Sequence, residues 1–209
     1  MKKLILFTLL AMFSASVWAA DTNATSAALE AKYTASIEGR TTEILKVLAL
    51  SDANQAAKVH DLVLAQYRAL RSWHDENDAR LKAARADTNA MARIRGSLKV
   101  LHEHFLSALA ETLSPEQIEL VKDKLTYGKV QFTLAGYVAQ YPNLSVENQA
   151  EIVRMLKDAR EEAMDGGSAA EKSAVFQRYK GRINNYLSKQ GLRTEKSKAG
   201  APNNSAVAK

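Results

Sequence analysis

Apolar residues recur every three or four positions along most of this chain, which is the spacing of an amphipathic helix. Residues 164–191 show the pattern most clearly, with Gly191 where a helix C-terminal cap is expected. Ser168 and Glu171 have the spacing of a capping box. The apolar positions of the segment are Val175, Phe176, Tyr179, Ile183 and Leu187. The pattern predicts a helix that packs on the core through one face and presents a face rich in amide and basic groups.

Six further segments carry helical signals. Three of them are long apolar stripes, over residues 29–48, 52–81 and 87–109. Another helix is predicted to start at Ser114, which can act as the N-cap, with Pro115 at the first helical position. Proline is tolerated there because its missing N–H group would have no partner within the helix.

Residues 129–141 are ambiguous, because their apolar positions fit either a strand or a helix. We predict a short helix, since no partner strand is visible elsewhere in the sequence. Ser145 then begins another helix that ends near Met164. Residues 21–28 are small and polar and are expected to fray. The sequence therefore predicts an all-α fold, a single-domain bundle of about seven antiparallel helices with short loops over residues 20–192.

Both ends of the chain differ from this helical body. Residues 1–19 begin with two lysines, continue with an apolar run and finish with small or aliphatic residues ahead of the expected cleavage site after Ala19. This order is typical of a cleaved signal peptide. The sequence has no cysteine, so it offers neither a disulfide nor a thiol for a lipid anchor. We expect a periplasmic or secreted protein without a membrane anchor. Residues 193–209 are polar and basic and are predicted to be a disordered tail.

The net charge of +6, from 29 basic and 23 acidic residues, is concentrated at the two ends. The signal peptide holds two lysines, and the tail holds four basic residues against one acid. The helical body is left with a net charge of +1. A nearly neutral body argues against a groove that follows phosphates, so we expect no nucleic-acid partner.

The four histidines do not form an obvious metal site. His102 and His104 point in directions roughly 200° apart around one helix, so they cannot share an ion. One arrangement stays open, in which His74 and Asp78 at i+4 are joined by His102 from an antiparallel neighbour. The alternative, in which these are polar groups at a helix interface, is favoured. We therefore predict no metal ion and no cofactor.

A carbohydrate site is the leading functional hypothesis. The run Trp73-His74-Asp75 offers an aromatic plane, an imidazole and a carboxylate, which suit the C–H face and the hydroxyl groups of a sugar. The same run is also typical of the end of an ordinary amphipathic helix. The candidate ligand-binding residues are these polar groups, a phenol at a helix end and the polar face of the last helix: His74, Asp75, His102, Tyr127, Lys180, Arg182, Asn184, Asn185 and Tyr186.

Catalytic motifs are missing from the sequence. It contains no glycine-rich phosphate loop, no nucleophile elbow and no zinc-protease motif. Glycoside hydrolysis needs two carboxyl groups roughly 5–10 Å apart, and nothing in the sequence fixes such a pair. Whether the protein is an enzyme stays open, and no catalytic residue is assigned.

Four blocks of sequence resemble a bacterial secreted family named only as domain of unknown function 3826. They are LSPEQIELVKDKLTYG, YPNLSVENQAEI, AREEAMDGGSAAEK and FQRYKGRINNYLSKQGL. The resemblance covers roughly residues 33–192 and implies sugar binding in a polysaccharide-degrading bacterium, without any catalytic residue. A weaker resemblance links LSPEQ and LSVENQ to the LTxxQ repeats of small periplasmic helical stress chaperones.

Three functions are open at this point. The first is a carbohydrate-binding or carbohydrate-processing accessory protein of the periplasm, with an oligosaccharide, in particular an acidic one, as its partner. The second is a non-catalytic periplasmic helical chaperone or stress-response protein. The third is an enzyme that acts on an acidic sugar through arginine and lysine. The first and third predict a compact polar pocket with clustered aromatic residues, and the second predicts an exposed apolar groove.

Overall fold

The computed structural model describes the backbone of residues 15–192 and the side chains of residues 24–192. This part of the chain contains no strand and forms seven helices: α1 (Ala15–Leu48), α2 (Ala53–Ala83), α3 (Thr88–Ala110), α4 (Pro115–Leu125), α5 (Lys129–Gln140), α6 (Val146–Met164) and α7 (Ala169–Lys189). The all-α, single-domain bundle with short loops is confirmed. None of the described helices is long and apolar enough to cross a membrane.

Polar residues placed just before the helices explain where most of them begin. Asp52, Ser114, Ser145 and Ser168 each accept a hydrogen bond from a backbone N–H of the first helical turn. The N-cap predicted at Ser114 is part of a complete capping box, with both hydrogen bonds present and Gln117 as its second member. The capping box predicted at Ser168 is only half formed, because the side chain of Glu171 binds the N–H of Gly167 instead.

Two boundary predictions have different outcomes. The ambiguous residues 129–141 are helical, as predicted, and form α5. Residues 21–28, which were expected to fray, belong to α1, which runs without a break from Ala15 to Leu48. Residues 21–28 contain no proline or glycine that would stop a helix, and they are rich in alanine, the strongest helix former. Residues 1–14 of the expected signal peptide, and the basic tail at 193–209, lie outside the described residues.

The core consists of two clusters of buried side chains. One lies between α5, α6 and α7 and centres on Ile152, Leu156 and Ile183. The other lies between α1, α2, α3 and α4 and includes Val63 and Val121. The second cluster also contains Met164, the last residue of α6, which ties the two halves of the fold together.

Two buried basic residues connect these halves and position the loop between α6 and α7. On α6, Arg160 donates hydrogen bonds to Asp123 (2.6 Å) and Glu119 (2.7 Å) of α4. On α7, the Lys172 ammonium group donates to the carbonyl oxygens of Leu125 (3.0 Å) and Met164 (3.4 Å). Those carbonyls end α4 and α6, where the partial negative charge of a helix terminus favours a cation.

Candidate functional site

The loop at residues 165–168, between α6 and α7, separates two cavities. We call them the histidine cleft, which contains His74 and His102, and the tyrosine pocket, which contains Tyr33, Tyr67 and Tyr127. Gly166 lines both.

The histidine cleft has a volume of about 550 Å³ and is bounded by α2, α3, the end of α6 and the start of α7. His74 is held at both ring nitrogens. Its Nε2 lies 2.8 Å from the backbone oxygen of Asp165, and its Nδ1 lies 3.0 Å from Asp78 and 3.8 Å from Glu171. Burial opposes the charged ring, but the hydrogen bonds to Asp165 and Asp78 outweigh it and raise the pKa of His74.

His102 forms the centre of an ion-pair network on the opposite wall. Its Nδ1 lies 2.8 Å from Asp165, and its Nε2 lies 3.7 Å from Glu161. Hydrogen bonds to Asp165 and Glu161 raise the pKa of His102 to about 9. Burial alone would raise the pKa of Glu161, yet the bonds from His102 and Lys122 lower it to about 2. The network therefore holds charged imidazole and carboxylate groups at neutral pH.

Trp73 does not offer the open aromatic face that a sugar would stack on. Its side chain is buried, with 8% of its surface exposed, and its indole N–H donates to Ser97 over 2.9 Å. Its ring meets the His74 ring edge to face at 5.0 Å. Trp73 thus fixes the position of His74 and contributes a wall, and stacking at this residue has no support.

The tyrosine pocket encloses about 270 Å³ at the junction of α1, α2, the α4–α5 turn and the start of α7. The Arg40 guanidinium lies 5.9 Å from the ring centroids of both Tyr67 and Tyr127. Arg71 lies 4.2 Å from the Tyr33 ring and pairs with Glu30 at 2.7 Å. Burial raises the pKa of Tyr67 to about 12, so its hydroxyl group stays neutral.

Lys172 lies at the base of the tyrosine pocket with 4% of its surface exposed. Burial, followed by the charge of Arg40, lowers its pKa to about 8. Its hydrogen bonds go to the two main-chain carbonyls described above, and no carboxylate of the described residues pairs with it. Its primary role is therefore structural, and its charge adds to the positive potential of the pocket.

A groove of about 810 Å³ between α1 and α4 continues from the tyrosine pocket, since Arg40 and Tyr127 line both. Tyr127 is 44% exposed and has a φ of 61°, in the left-handed region that a bulky residue seldom adopts. Gly128 follows with a φ of 62°. Such backbone strain is often found at binding sites, and here it brings the phenol ring to the groove.

The candidate residues from the sequence are not brought together. His74 and His102 share the histidine cleft, and Tyr127 belongs to the tyrosine pocket. Asp75 is exposed and lies 3.8 Å from Arg71, outside both cavities. The polar face of α7 lies further along that helix, away from His74.

The far end of α7 instead packs on α5 and α6. The Tyr137 hydroxyl of α5 donates to the backbone oxygen of Lys180 and to Asn184 Oδ1. The Tyr186 hydroxyl donates to Asn148 of α6 over 2.7 Å. Arg182 lies over the Tyr179 ring at 4.5 Å, and Asn185 is exposed. These residues hold helices together or face solvent.

The histidine cleft also departs from the one metal arrangement that the sequence left open. His102 is turned towards Asp165 and Glu161. Glu171, from the first turn of α7, takes the third place beside His74 and Asp78. Four residues of the two cavities were not predicted from the sequence as site residues: Glu171, Arg40, Tyr33 and Tyr67. They come from segments that are distant in sequence. Their proximity follows only from the packing of the apolar stripes of α1, α2 and α7, which no local motif indicates.

Large exposed apolar side chains are scattered. In the described part of the chain they are Leu29, Val100, Leu120, Tyr127, Phe132, Val138 and Val146, spread over five helices and one turn. Among the described helices, α5 alone exposes two of them, Phe132 and Val138, with the exposed Ala135 and Ala139 beside them. This distribution offers little support for the broad apolar surface that the chaperone hypothesis requires.

These features define an all-α bundle with a tyrosine- and arginine-lined pocket and a separate histidine–carboxylate cleft. The model of the protein family of unknown function DUF3826 matches residues 34–201, and the chain belongs to this family. The match covers the second part of α1, all of α2 to α7, and every lining residue of the two cavities except Tyr33. No curated protein matches the chain.

Proposed function

We propose that this protein is an exported binding protein for acidic oligosaccharides, and that Arg40 binds a carboxylate of the ligand. The observation that carries the proposal is the environment of Arg40, which lies between two tyrosine rings with no carboxylate partner among the described residues. Arginine suits a carboxylate because its planar fork donates two parallel hydrogen bonds.

The charge of the tyrosine pocket supports an anionic ligand. Its ionisable lining residues are Arg40, Arg71 and Lys172 together with three tyrosines, and no aspartate or glutamate lines it. The start of α7 adds the partial positive charge of a helix N-terminus. A carboxylate in this pocket would face three basic side chains and no acidic side chain among the lining residues.

The groove between α1 and α4 supports an extended ligand. Its volume of about 810 Å³ exceeds that of the tyrosine pocket, so it has room for further sugar units. The exposed Tyr127 ring lies where the two spaces join. Aromatic faces accept the C–H surfaces of sugars, and Tyr127 takes the part that the sequence had suggested for Trp73.

The test is calorimetric titration of the purified protein with trigalacturonate and with the neutral galactotriose of the same linkage. We expect the acidic trisaccharide to bind and the neutral one to bind at least tenfold more weakly. Arg40→Ala should weaken trigalacturonate binding about 10- to 100-fold, because a hydrogen-bonded charge pair contributes about 1.5–3 kcal/mol.

The matched control is Arg154→Ala, which removes an exposed arginine of α6 that pairs with Glu151 and Asp158. It should leave the affinity unchanged. Thermal unfolding of each variant confirms that it is folded. Equal affinity for the acidic and neutral sugars, or unchanged trigalacturonate binding by folded Arg40→Ala, would refute the proposal.

A further inference from the structure

Three side chains in the histidine cleft direct ligand atoms at one point. They are His74 and Asp78 on α2 and Glu171 on α7, and their ligand atoms all lie within 4.8 Å of one another. We infer that they form a binding site for a divalent transition-metal ion of the zinc type. This inference is independent of the tyrosine pocket and of the sugar ligand proposed for it.

The spacing of the three groups fits such an ion. Zinc binds nitrogen and oxygen ligands at about 2.0–2.2 Å, so two ligands of a tetrahedral site lie roughly 3.3 Å apart. His74 Nδ1 lies 3.0 Å from Asp78 Oδ1 and 3.8 Å from Glu171 Oε2, on either side of that value. Small side-chain movements are enough to complete the geometry.

The other nitrogen of His74 is already bound in the way that metal-binding histidines usually are. Nε2 donates its proton to the backbone oxygen of Asp165 over 2.8 Å, since a carbonyl oxygen can only accept. In the neutral ring the lone pair is then on Nδ1, which faces Asp78 and Glu171. Such an outer hydrogen bond fixes the tautomer and orientation of a ligand histidine.

Glu171 is oriented by a similar outer contact. Its Oε2 accepts a hydrogen bond from the N–H of Gly167 over 2.8 Å. The Cα atom of Gly167 packs against the His74 ring so closely that a Cβ atom on this residue would lie 2.7 Å from the ring. The loop at residues 165–168 thus supports two of the three proposed ligands.

His60 shows how an ordinary surface histidine with two carboxylates differs. Its Nδ1 lies 3.1 Å from Asp61 and its Nε2 lies 2.9 Å from Glu38, one carboxylate at each nitrogen. A protonated ring satisfies both carboxylates in that arrangement, and one ion cannot be chelated by all three groups. At His74 both carboxylates gather at the same nitrogen. One divalent cation at that nitrogen can therefore contact all three groups.

The donor set points to the class of ion. One imidazole and two carboxylates suit zinc and its first-row neighbours, whereas calcium and magnesium prefer sites made only of oxygen. Three protein ligands leave a fourth position for water or a ligand oxygen. The cleft of about 550 Å³ provides space in front of that position.

The test is calorimetric titration of chelator-treated protein with Zn²⁺ at pH 7.5. We expect saturable binding of one ion per chain. His74→Gln should abolish it, and Asp78→Asn and Glu171→Gln should each weaken it at least tenfold. With Co²⁺ as the probe, intense visible absorption bands should indicate four-coordinate geometry and should be lost in His74→Gln.

His60→Gln is the matched control, since it removes a histidine with two neighbouring carboxylates that cannot chelate, and it should bind Zn²⁺ as the wild type does. Thermal unfolding confirms that each variant is folded. The inference is overturned if wild-type protein shows no saturable Zn²⁺ binding, or if folded His74→Gln retains it. Loss of binding in His60→Gln but not in His74→Gln would likewise overturn it.

Discussion

Gly167 contacts the ring of His74 so closely that even a methyl group would not fit. A Cβ atom there would lie 2.7 Å from two carbon atoms of the imidazole. We expect Gly167→Ala to displace the ring or the loop and to destabilise the protein by about 1–3 kcal/mol, the usual cost of overpacking. The check is urea unfolding of the variant and the wild type.

Gly181 provides the control for this substitution. It lies within α7, and a Cβ atom there would have nothing within 4 Å. Gly181→Ala should therefore stabilise the protein by about 0.5–1 kcal/mol, because alanine is the better helix former. Equal effects of the two substitutions would contradict the close contact at His74.

The His102–Asp165 pair should make stability depend on pH. Its hydrogen bonds raise the pKa of His102 from 6.5 to about 9 in the folded protein, so its stabilising contribution is fully present below about pH 6.5 and is lost as the pH rises through 9. The advantage of the wild type over His102→Gln should fall by roughly 3 kcal/mol between pH 6 and pH 9.5. Urea unfolding at several pH values measures it.

His104 lies on the same helix but is exposed, so His104→Gln is the reference for that experiment. The comparison of each variant with the wild type removes the contributions of the other titrating groups. If the advantage over His102→Gln varies with pH no more than that over His104→Gln, the ion pair does not have the assigned effect.

Individual residues were the least predictable part of this protein from its sequence. The pairing of His74 with Asp78 follows from their i,i+4 spacing on one helix. The position of Glu171 beside them depends on how α7 docks against α2, which no local pattern encodes. The same holds for Arg40, whose two aromatic neighbours are 27 and 87 positions further along the chain.

Helix α4 illustrates how fully local chemistry can determine one element. Ser114 and Gln117 form both hydrogen bonds of a capping box, and Pro115 occupies the start of the helix. Ser114→Ala should remove the cap and destabilise the protein by about 1 kcal/mol. The exposed Ser107, inside α3, is the control, and Ser107→Ala should not lower the midpoint of thermal unfolding.

Helix α1 shows the opposite case, since the described side chains of its first part are not buried. The side chains of residues 24–32 are all exposed, and Ile37 is the first buried one among the described side chains of the helix. We expect the amide hydrogens of residues 24–32 to exchange rapidly, and those of residues 37–48 to be protected. Hydrogen exchange measured by mass spectrometry distinguishes the two segments. Similar protection along the whole helix would contradict this expectation.

The seven helices themselves were predictable because apolar periodicity and capping residues agree along most of the chain. The start of α1 was missed, since small polar residues can be either a helix end or an exposed helix. The partners of the helices could not be predicted. The apolar stripes show which face is buried, but the pairing of α4 with α6 depends on Arg160, a charged residue at a core position.

Arg160 joins the two halves of the molecule, so its removal should affect the whole fold. Its side chain is 3% exposed and binds both Asp123 and Glu119. Arg160→Ala removes both charged hydrogen bonds and a buried side chain between α4 and α6, and it should destabilise the protein by about 3 kcal/mol. Arg154→Ala removes exposed ion pairs on the same helix and should cost less than about 1 kcal/mol. Similar losses of unfolding free energy for the two variants in urea unfolding would contradict the role of Arg160 in joining the two halves.

The loop at residues 165–168 lies between the histidine cleft and the tyrosine pocket, so ligand binding in one cavity can be coupled to ligand binding in the other. If occupation of one cavity shifts the loop, the free energy of that shift is shared with the other cavity. The coupling must then be reciprocal, so that the factor by which one ligand changes the affinity of the other is the same in both directions. Gly166 packs against Lys172, and Gly167 packs against His74. The loop therefore has little free space in which to move without displacing one of these two side chains.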